Sequence, residues 1–151
     1  MSGLEGLYQQ IILDHSKARH GDGPLEVMDA EHHELNPTCG DEITMRIRLD
    51  QAHAHIEQLA WQGDGCSISM ASASVLVDLV RGIRVEDALE LADEFRTMLR
   101  SRGVGDPDEE RLGDAVAFQG VARYVMRVKC AMLSWVALEA CIAKVRARDA
   151  S

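Results

Sequence analysis

Apolar and polar positions along this chain repeat in two different rhythms. Leu4, Leu7, Tyr8, Ile11 and Ile12 recur at helical spacing, which predicts an amphipathic helix over roughly Leu4–Ser16. Lys17–Pro24 then carries the glycine and proline density of a loop. The rhythm changes to a period of two at Ile43, Met45, Ile47 and Leu49, which alternate with Thr44, Arg46 and Arg48 and predict a strand with one buried face. Asp50–His53 reads as a turn, Ile56–Gln62 as a second strand with Leu59 and Trp61 on one face, and Val27–Leu35 as a third. Helical periods return from Ser67 to about Arg81, over Arg84–Arg100, and over Leu112–Tyr124 as one short helix or two broken near Gly120. The polar run Gly103–Glu110 separates the last two as a loop. A final helix is expected from about Arg127 to Arg146, with Leu133, Val136, Ala137, Ala140 and Cys141 as its apolar stripe.

The chain has 151 residues, an expected single domain over 1–151. That length buries about two-thirds of the surface of the unfolded chain. At 46% hydrophobic and 27% charged it has the composition of a soluble globular protein. A net charge of −9, with no lysine and arginine block, sets it against nucleic acid and towards a protein partner carrying a positive patch. The N-terminus lacks the basic, apolar, small-residue order of a signal peptide, and the apolar runs are too short to span a bilayer. A cytoplasmic location is therefore expected. In that reducing compartment the four cysteines are expected to serve metal binding or thiol chemistry rather than disulfides.

Candidate chemistry centres on Asn36-Pro37-Thr38-Cys39-Gly40-Asp41. Pro37 biases Asn36 towards an extended conformation, and Gly40 opens backbone angles that let Cys39 and Asp41 aim at a common point. A thiolate and a carboxylate sharing a point suit a metal ion; the same hexapeptide also reads as an ordinary loop with Cys39 a small buried residue. Gly63-Asp64-Gly65-Cys66 permits a sharp strand-to-helix turn that puts Cys66 at a helix N-terminus, where a thiolate is stabilised. The alternative for Cys66 is a buried cysteine under the small-residue run that follows. Cys130 falls in the first turn of the last helix, again a place that favours a thiolate. Cys141 lies about 16 Å further along the same axis, beyond the reach of a shared ion, and is read as core. The assembled constellation is Cys39, Asp41, Cys66 and Cys130, a reasonable tetrahedral zinc shell whose thiolates also suit iron–sulfur clusters. Its formal charge of about −2 would be offset by Arg127 and Lys129. His32, His33, His53 and His55, without acidic partners close in sequence, read as surface histidines. Asp14, His15, Lys17 and Arg19 read as a solvated helix end, with a docking surface as the alternative.

Four stretches carry a resemblance: Leu7-Tyr8 through Asp14-His15, Asn36–Asp41, Gly65–Ser74, and Arg127-Val-Lys-Cys-Ala-Met-Leu-Ser-Trp135. In this order they resemble the IscU/NifU-like iron–sulfur assembly family, and within it the SufU branch, over nearly the whole chain. The resemblance implies an α+β fold, a small antiparallel three-stranded sheet packed against helices, which agrees with the order of elements read above. It also places Cys39, Asp41, Cys66 and Cys130 on the family's metal-binding positions.

Two departures from the IscU-type pattern stand out. Lys129 occupies the position before the last cysteine where those members usually have histidine, and the segment between Cys66 and Cys130 is longer, around Phe95–Gln119. Both features resemble the SufU branch, whose members are zinc-binding sulfur acceptors for a PLP-dependent cysteine desulfurase of the SufS type. The implied function is acceptance of persulfide sulfur and its delivery to downstream iron–sulfur assembly proteins. Cys39, on a glycine-flanked turn, is the expected acceptor; it leaves the metal on docking while Asp41 remains a ligand. The alternative is a scaffold that builds a [2Fe–2S] cluster on the same four ligands and passes it on.

Overall fold

The computed structural model describes residues 3–151, with side chains from Glu5 onward. Its sheet is antiparallel in the order β1-β2-β3, with β1 at Ala30–Asn36, β2 at Asp41–Leu49 and β3 at Ile56–Asp64. The period-two pattern of β2 sets which face is covered: Ile43, Met45, Ile47 and Leu49 are all buried. Met45 lies opposite Trp61 and Ile47 opposite Leu59, so apolar side chains meet across strands on one continuous face. β1 starts later than expected and leaves Val27 and Met28 exposed. It ends at Asn36 because Pro37 has no N–H to continue the ladder.

Helices cover that face: α1 at Gly3–Ala18, α2 at Ser67–Val80, α3 at Val85–Arg100, α4 at Glu109–Leu112 and α5 at Val125–Asp149. α5 packs on β1 and β2, α2 on α5, and α1 on α2. The serine and alanine run of α2 lets α5 come close. Ser72 Oγ donates to the Ala131 carbonyl at 2.6 Å and accepts from Trp135 Nε1 at 3.0 Å, so a buried hydroxyl is fully paired in the interface. Trp135 stacks on Phe95 with ring centroids 4.4 Å apart, and Phe118 meets Phe95 edge-on at 5.8 Å.

Between α4 and α5 the chain forms a 3₁₀ helix, Gly113–Arg123, where a helix broken near Gly120 was expected. The break falls at Gly113, with φ of 49°, and the segment then runs on through Gly120. The reason is a spacing of three: Leu112, Ala115, Phe118 and Val121 are all buried, and a helix with three residues per turn puts them on one face.

The exit of α1 also differs from expectation. Tyr8 and Ile12 pack against the core while Leu7 faces solvent; the side chain of Leu4 lies outside the described residues. His15 continues the Tyr8–Ile12 line and is buried, its Nδ1 2.8 Å from Ser74 Oγ and its Nε2 2.9 Å from Asp114 Oδ2. Arg19 lies 4.8 Å over the Trp61 ring and donates to the Gly63 carbonyl at 3.0 Å. Trp61 Nε1 in turn donates to the His20 carbonyl at 2.8 Å. His15 and Arg19 therefore clamp α1 onto α2 and the end of β3 instead of forming a solvated end.

The four other histidines do have carboxylate partners. His32 is 2.9 Å from Glu34, His33 3.5 Å from Glu42, His53 2.8 Å from Asp149 and His55 2.9 Å from Asp50. Among the described residues none of these four falls in a group able to hold a metal ion. No described helix is long and apolar enough to cross a membrane.

Candidate metal centre

The centre is assembled where a hairpin turn meets two helices. Asn36 and Asp41 form the last rung between β1 and β2, and the turn between them carries Cys39. Gly40 takes a φ of 72°, the left-handed angle the turn needs, and the Cys39 N–H donates to the Asn36 carbonyl at 3.3 Å. Cys39 is half-buried; Asp41, two residues later at the start of β2, is 1% exposed.

Asp41 is held by the start of α2. The Cys66 N–H donates to Oδ1 at 2.9 Å and the Ser69 hydroxyl donates to Oδ2 at 2.7 Å. Cys66 is the N-cap of α2 and makes no side-chain cap bond, so the Asp41 carboxylate takes that part and faces the positive end of the helix. The strand-to-helix turn is as sharp as expected, with Gly65 and Cys66 alone between β3 and α2, and the glycines before Cys66 have a further role. A Cβ on Gly65 would stand 2.9 Å from Asp41 Cγ, and one on Gly63 would stand 2.9 Å from Ile43 Cα. Both are needed for close approach.

Cys130 comes from α5. The helix begins at Val125, so Cys130 lies in its second turn, not the first, and the expected stabilisation of a thiolate by free N–H groups does not apply there. It is fully buried, its Sγ 3.2 Å from Cys39 Sγ, with Asn36 Nδ2 donating to it at 3.7 Å. Cys141 sits in the core as expected, fully buried with its thiol donating to the Met45 carbonyl at 3.4 Å.

The ligand atoms of Cys39, Asp41 and Cys130 all lie within 4.8 Å of one another. Cys66, the fourth expected ligand, stands at the rim: its Sγ is 3.9 Å from Asp41 Oδ2 and 3.5 Å from Ser69 Oγ. Sulfurs bound tetrahedrally to one zinc ion stand about 3.8 Å apart, close to the spacing of the Cys39, Asp41 and Cys130 atoms; Cys66, outside that group, would complete the set by turning towards it. Three soft sulfurs and one hard oxygen fit zinc.

Electrostatics separate the ligands. Burial opposes ionisation of Asp41, but the Ser69 hydroxyl, the Cys66 N–H and the neighbouring thiols together outweigh it and lower its pKa. Burial, then hydrogen bonding with Cys39 and Asp41 and the charge of Cys66, pushes the Cys130 thiol far above its ordinary value. Cys130 therefore reacts or coordinates as its proton is taken by a partner group or displaced by an entering cation. Arg127 is the nearby protein cation: hydrogen bonding to Cys130 and the charges of Cys66, Cys130 and Cys39 raise its pKa. Ser69 and Asn36 were not read from sequence as part of the site. Each had a signal, Ser69 at the third position of a helix opened by Cys66, Asn36 at the strand end before Pro37.

His15, His20 and Asp78 form another group whose spacing could hold an ion. Both ring nitrogens of His15 are engaged by Ser74 and Asp114, and His20 Nδ1 is 2.8 Å from Asp78, so the cluster is explained by the packing of α1 on α2.

Comparison with known proteins identifies the family and the fold. Residues 7–131 match the model of the NifU-like N terminal domain family. The chain is 41% identical over 142 residues to a protein of Streptococcus pyogenes named iron-sulfur cluster assembly scaffold protein IscU, covering 94% of this chain and 86% of that one. It is 40% identical over 146 residues to the zinc-dependent sulfurtransferase SufU of Bacillus subtilis, covering 95% and 94%. A solved structure from Fervidobacterium islandicum, described as a candidate iron-sulfur cluster assembly scaffold for the SUF system, superposes with a TM-score of 0.78 at 32% identity, covering 93% and 99%. The N-terminal part of a NifU-like protein from Brucella abortus shares the fold with a TM-score of 0.85 at 23% identity, covering 97% and 99%. The chain belongs to the NifU-like N-terminal domain family, in its IscU/SufU group of iron–sulfur cluster assembly proteins.

Proposed function

We propose that this protein accepts persulfide sulfur from a PLP-dependent cysteine desulfurase of the SufS type and passes it to downstream iron–sulfur assembly proteins. It does so in the cytoplasm, as a single domain, with zinc held by Cys39, Asp41, Cys66 and Cys130. The observation that carries the reading is a half-buried thiol on a glycine-flanked turn, Cys39, whose sulfur lies within 4.8 Å of ligand atoms from Asp41 and Cys130. The 40% identity to a protein named zinc-dependent sulfurtransferase, over nearly the whole chain, supports it, as does Lys129 in the place of histidine.

Zinc, when bound, keeps the thiols deprotonated and ordered. Cys39 is the mobile ligand, since Cys66 and Cys130 are fixed in helices and Asp41 is pinned by Ser69 and Cys66. With zinc bound, Asp41, Cys66 and Cys130 would hold the ion while Cys39 turns to the docked desulfurase. The freed Cys39 thiolate attacks the outer sulfur of the desulfurase persulfide; the bond between its two sulfurs breaks, and the desulfurase cysteine leaves as a thiolate. Arg127 faces the thiols and pairs with the charge released. Leu35, next to the turn, and Tyr124, Val125 and Met126, one turn before Cys130, are exposed apolar side chains around the site, suited to burial against a partner.

Incubation with the desulfurase and sulfur-labelled cysteine tests the reading. Label should appear on Cys39 and be released by a thiol reductant. A Cys39→Ala protein that accelerates the desulfurase as well as wild type would sink the assignment.

A second reading has its own support, the 41% identical relative named as a scaffold. Here a [2Fe–2S] cluster is the cargo, built on the same four residues and handed on. Protein purified without oxygen separates the two. About one zinc per chain and no colour favours the sulfur acceptor. Iron with labile sulfide and a brown spectrum favours the scaffold.

A further inference from the structure

Cys39 and Cys130 are more than two ligands of one ion. Their sulfurs stand 3.2 Å apart, about 1.2 Å longer than a disulfide bond. Cys39 is carried by a turn that can close this gap, whereas Cys130 is fixed in α5 and held by Asn36. The third thiol of the site, Cys66, also interacts with Cys130, and its Sγ is engaged by Ser69 Oγ at 3.5 Å and Asp41 Oδ2 at 3.9 Å.

We propose that Cys130 is the resolving thiol of Cys39. Whenever Cys39 carries an outer atom that can leave, Cys130 attacks Cys39 Sγ and the pair closes into an intrachain disulfide.

Two substrates for this step follow. If Cys39 carries a persulfide, which rests on the sulfur-acceptor reading, a bond forms between the two Sγ atoms and the bond from Cys39 Sγ to the outer sulfur breaks. The outer sulfur leaves with the electron pair, takes the Cys130 proton and departs as hydrogen sulfide. The two cysteines are oxidised together and the sulfane sulfur is reduced. If a peroxide has oxidised Cys39 to the sulfenic acid, the same attack expels hydroxide, which takes the Cys130 proton and leaves as water. A dithiol reductant restores both thiols by exchange. Sulfur therefore leaves this protein as sulfide as well as by persulfide transfer. While the disulfide is closed, neither sulfur can accept sulfur or hold a metal ion, so oxidation switches the site off.

The test uses the full chain, reduced and freed of metal with a chelator, its fold checked by circular dichroism. One portion is treated with hydrogen peroxide and another with inorganic polysulfide. The products are followed by intact mass, peptide mapping and trapping of released sulfide. The expected product is a chain two hydrogens lighter with a Cys39–Cys130 linked peptide. The Cys130→Ser protein should release sulfide at least about tenfold more slowly and retain the persulfide on Cys39, while Cys141→Ala, a core position outside the site, should release sulfide as wild type does. A zinc-loaded sample guards against loss of fold on chelation: it should form the same link in step with zinc release. Links dominated by Cys66, cross-links between chains, or wild-type sulfide release from Cys130→Ser would overturn the proposal. If polysulfide produces the link but a desulfurase never delivers sulfur to Cys39, the sulfur-acceptor reading fails and the resolving role stands. If desulfurase-delivered sulfur stays on Cys39 of the metal-free wild type without disulfide, the resolving role fails and the acceptor reading stands.

Discussion

Gly65→Ala should damage the metal centre without touching a ligand. The added Cβ would sit 2.9 Å from Asp41 Cγ and 3.0 Å from its Cβ, and closer still to Oδ1. Ordinary carbon contacts are about 3.5–4.0 Å, so the carboxylate or the start of α2 must retreat by about 0.6 Å or more. Asp41 has no slack for this: it is buried and bonded to the Cys66 N–H at 2.9 Å and the Ser69 hydroxyl at 2.7 Å. Hydrogen bonds to a charged group contribute about 1.5–3 kcal/mol each, so weakening both costs about 3 kcal/mol. For a chain of this size that lowers Tm by about 6–12 °C. Thermal melts with and without zinc, together with competition for zinc by a chromophoric chelator, measure both effects. Gly63→Ala is the control. Its Cβ meets the backbone of Ile43 and Glu42, so it should lower Tm while leaving the affinity of correctly folded protein for zinc nearer wild type. A Gly65→Ala protein that melts within about 2 °C of wild type and binds zinc as tightly would refute the account of Asp41 as a pinned ligand.

Other perturbations test the surrounding frame. Burial raises the Cys141 thiol from 9.0 to about 12. The native state therefore keeps a proton that the unfolded chain loses; the contribution is fully present below about 9 and declines as pH rises towards about 12, at up to about 1.4 kcal/mol per pH unit. Urea titrations at alkaline pH should show that decline in wild type and a shallower one in Cys141→Ala. His15→Leu leaves Ser74 Oγ and Asp114 without their shared partner and should cost about 2 kcal/mol in denaturant unfolding, with sulfur labelling of Cys39 retained in the folded fraction. Phe95→Ala removes the ring between Trp135 and Phe118 and should cost about 3–5 kcal/mol, read as an early thermal transition.

Much of this molecule was legible in sequence because its patterns are local. The alternation from Ile43 to Leu49 survives unchanged as the buried face of β2, and the three strands pair in chain order. Cys39, Asp41 and Cys130 come together as expected, with Cys66 beside Asp41. What escaped depends on contacts between distant elements. His15 looks like a helix-end polar residue until Ser74 and Asp114, 59 and 99 residues away, supply partners for both ring nitrogens. The start of α5 was placed late, which misassigned Cys130 to a first turn. The 3₁₀ helix from Gly113 was hidden because a spacing of three residues shares positions with the helical pattern of three and four.

That last correction changes the chemistry expected of the site. A thiol in the first turn of a helix would be stabilised as a thiolate by free N–H groups, and Cys130 would be a nucleophile or ligand without help. In the second turn and fully buried it is held as a thiol. Its conversion to a ligand is therefore helped by the arrival of a dication, and Asp41, whose pKa is lowered by the Ser69 hydroxyl and the Cys66 N–H, meets that ion as a carboxylate. Asp41 is thus the residue that first attracts an ion, and Cys130 follows by losing its proton. Zinc uptake should release protons and slow as pH falls, while Asp41→Asn should slow uptake more than Cys66→Ser does. Equal slowing by the two substitutions in stopped-flow measurements would show that the carboxylate has no leading part.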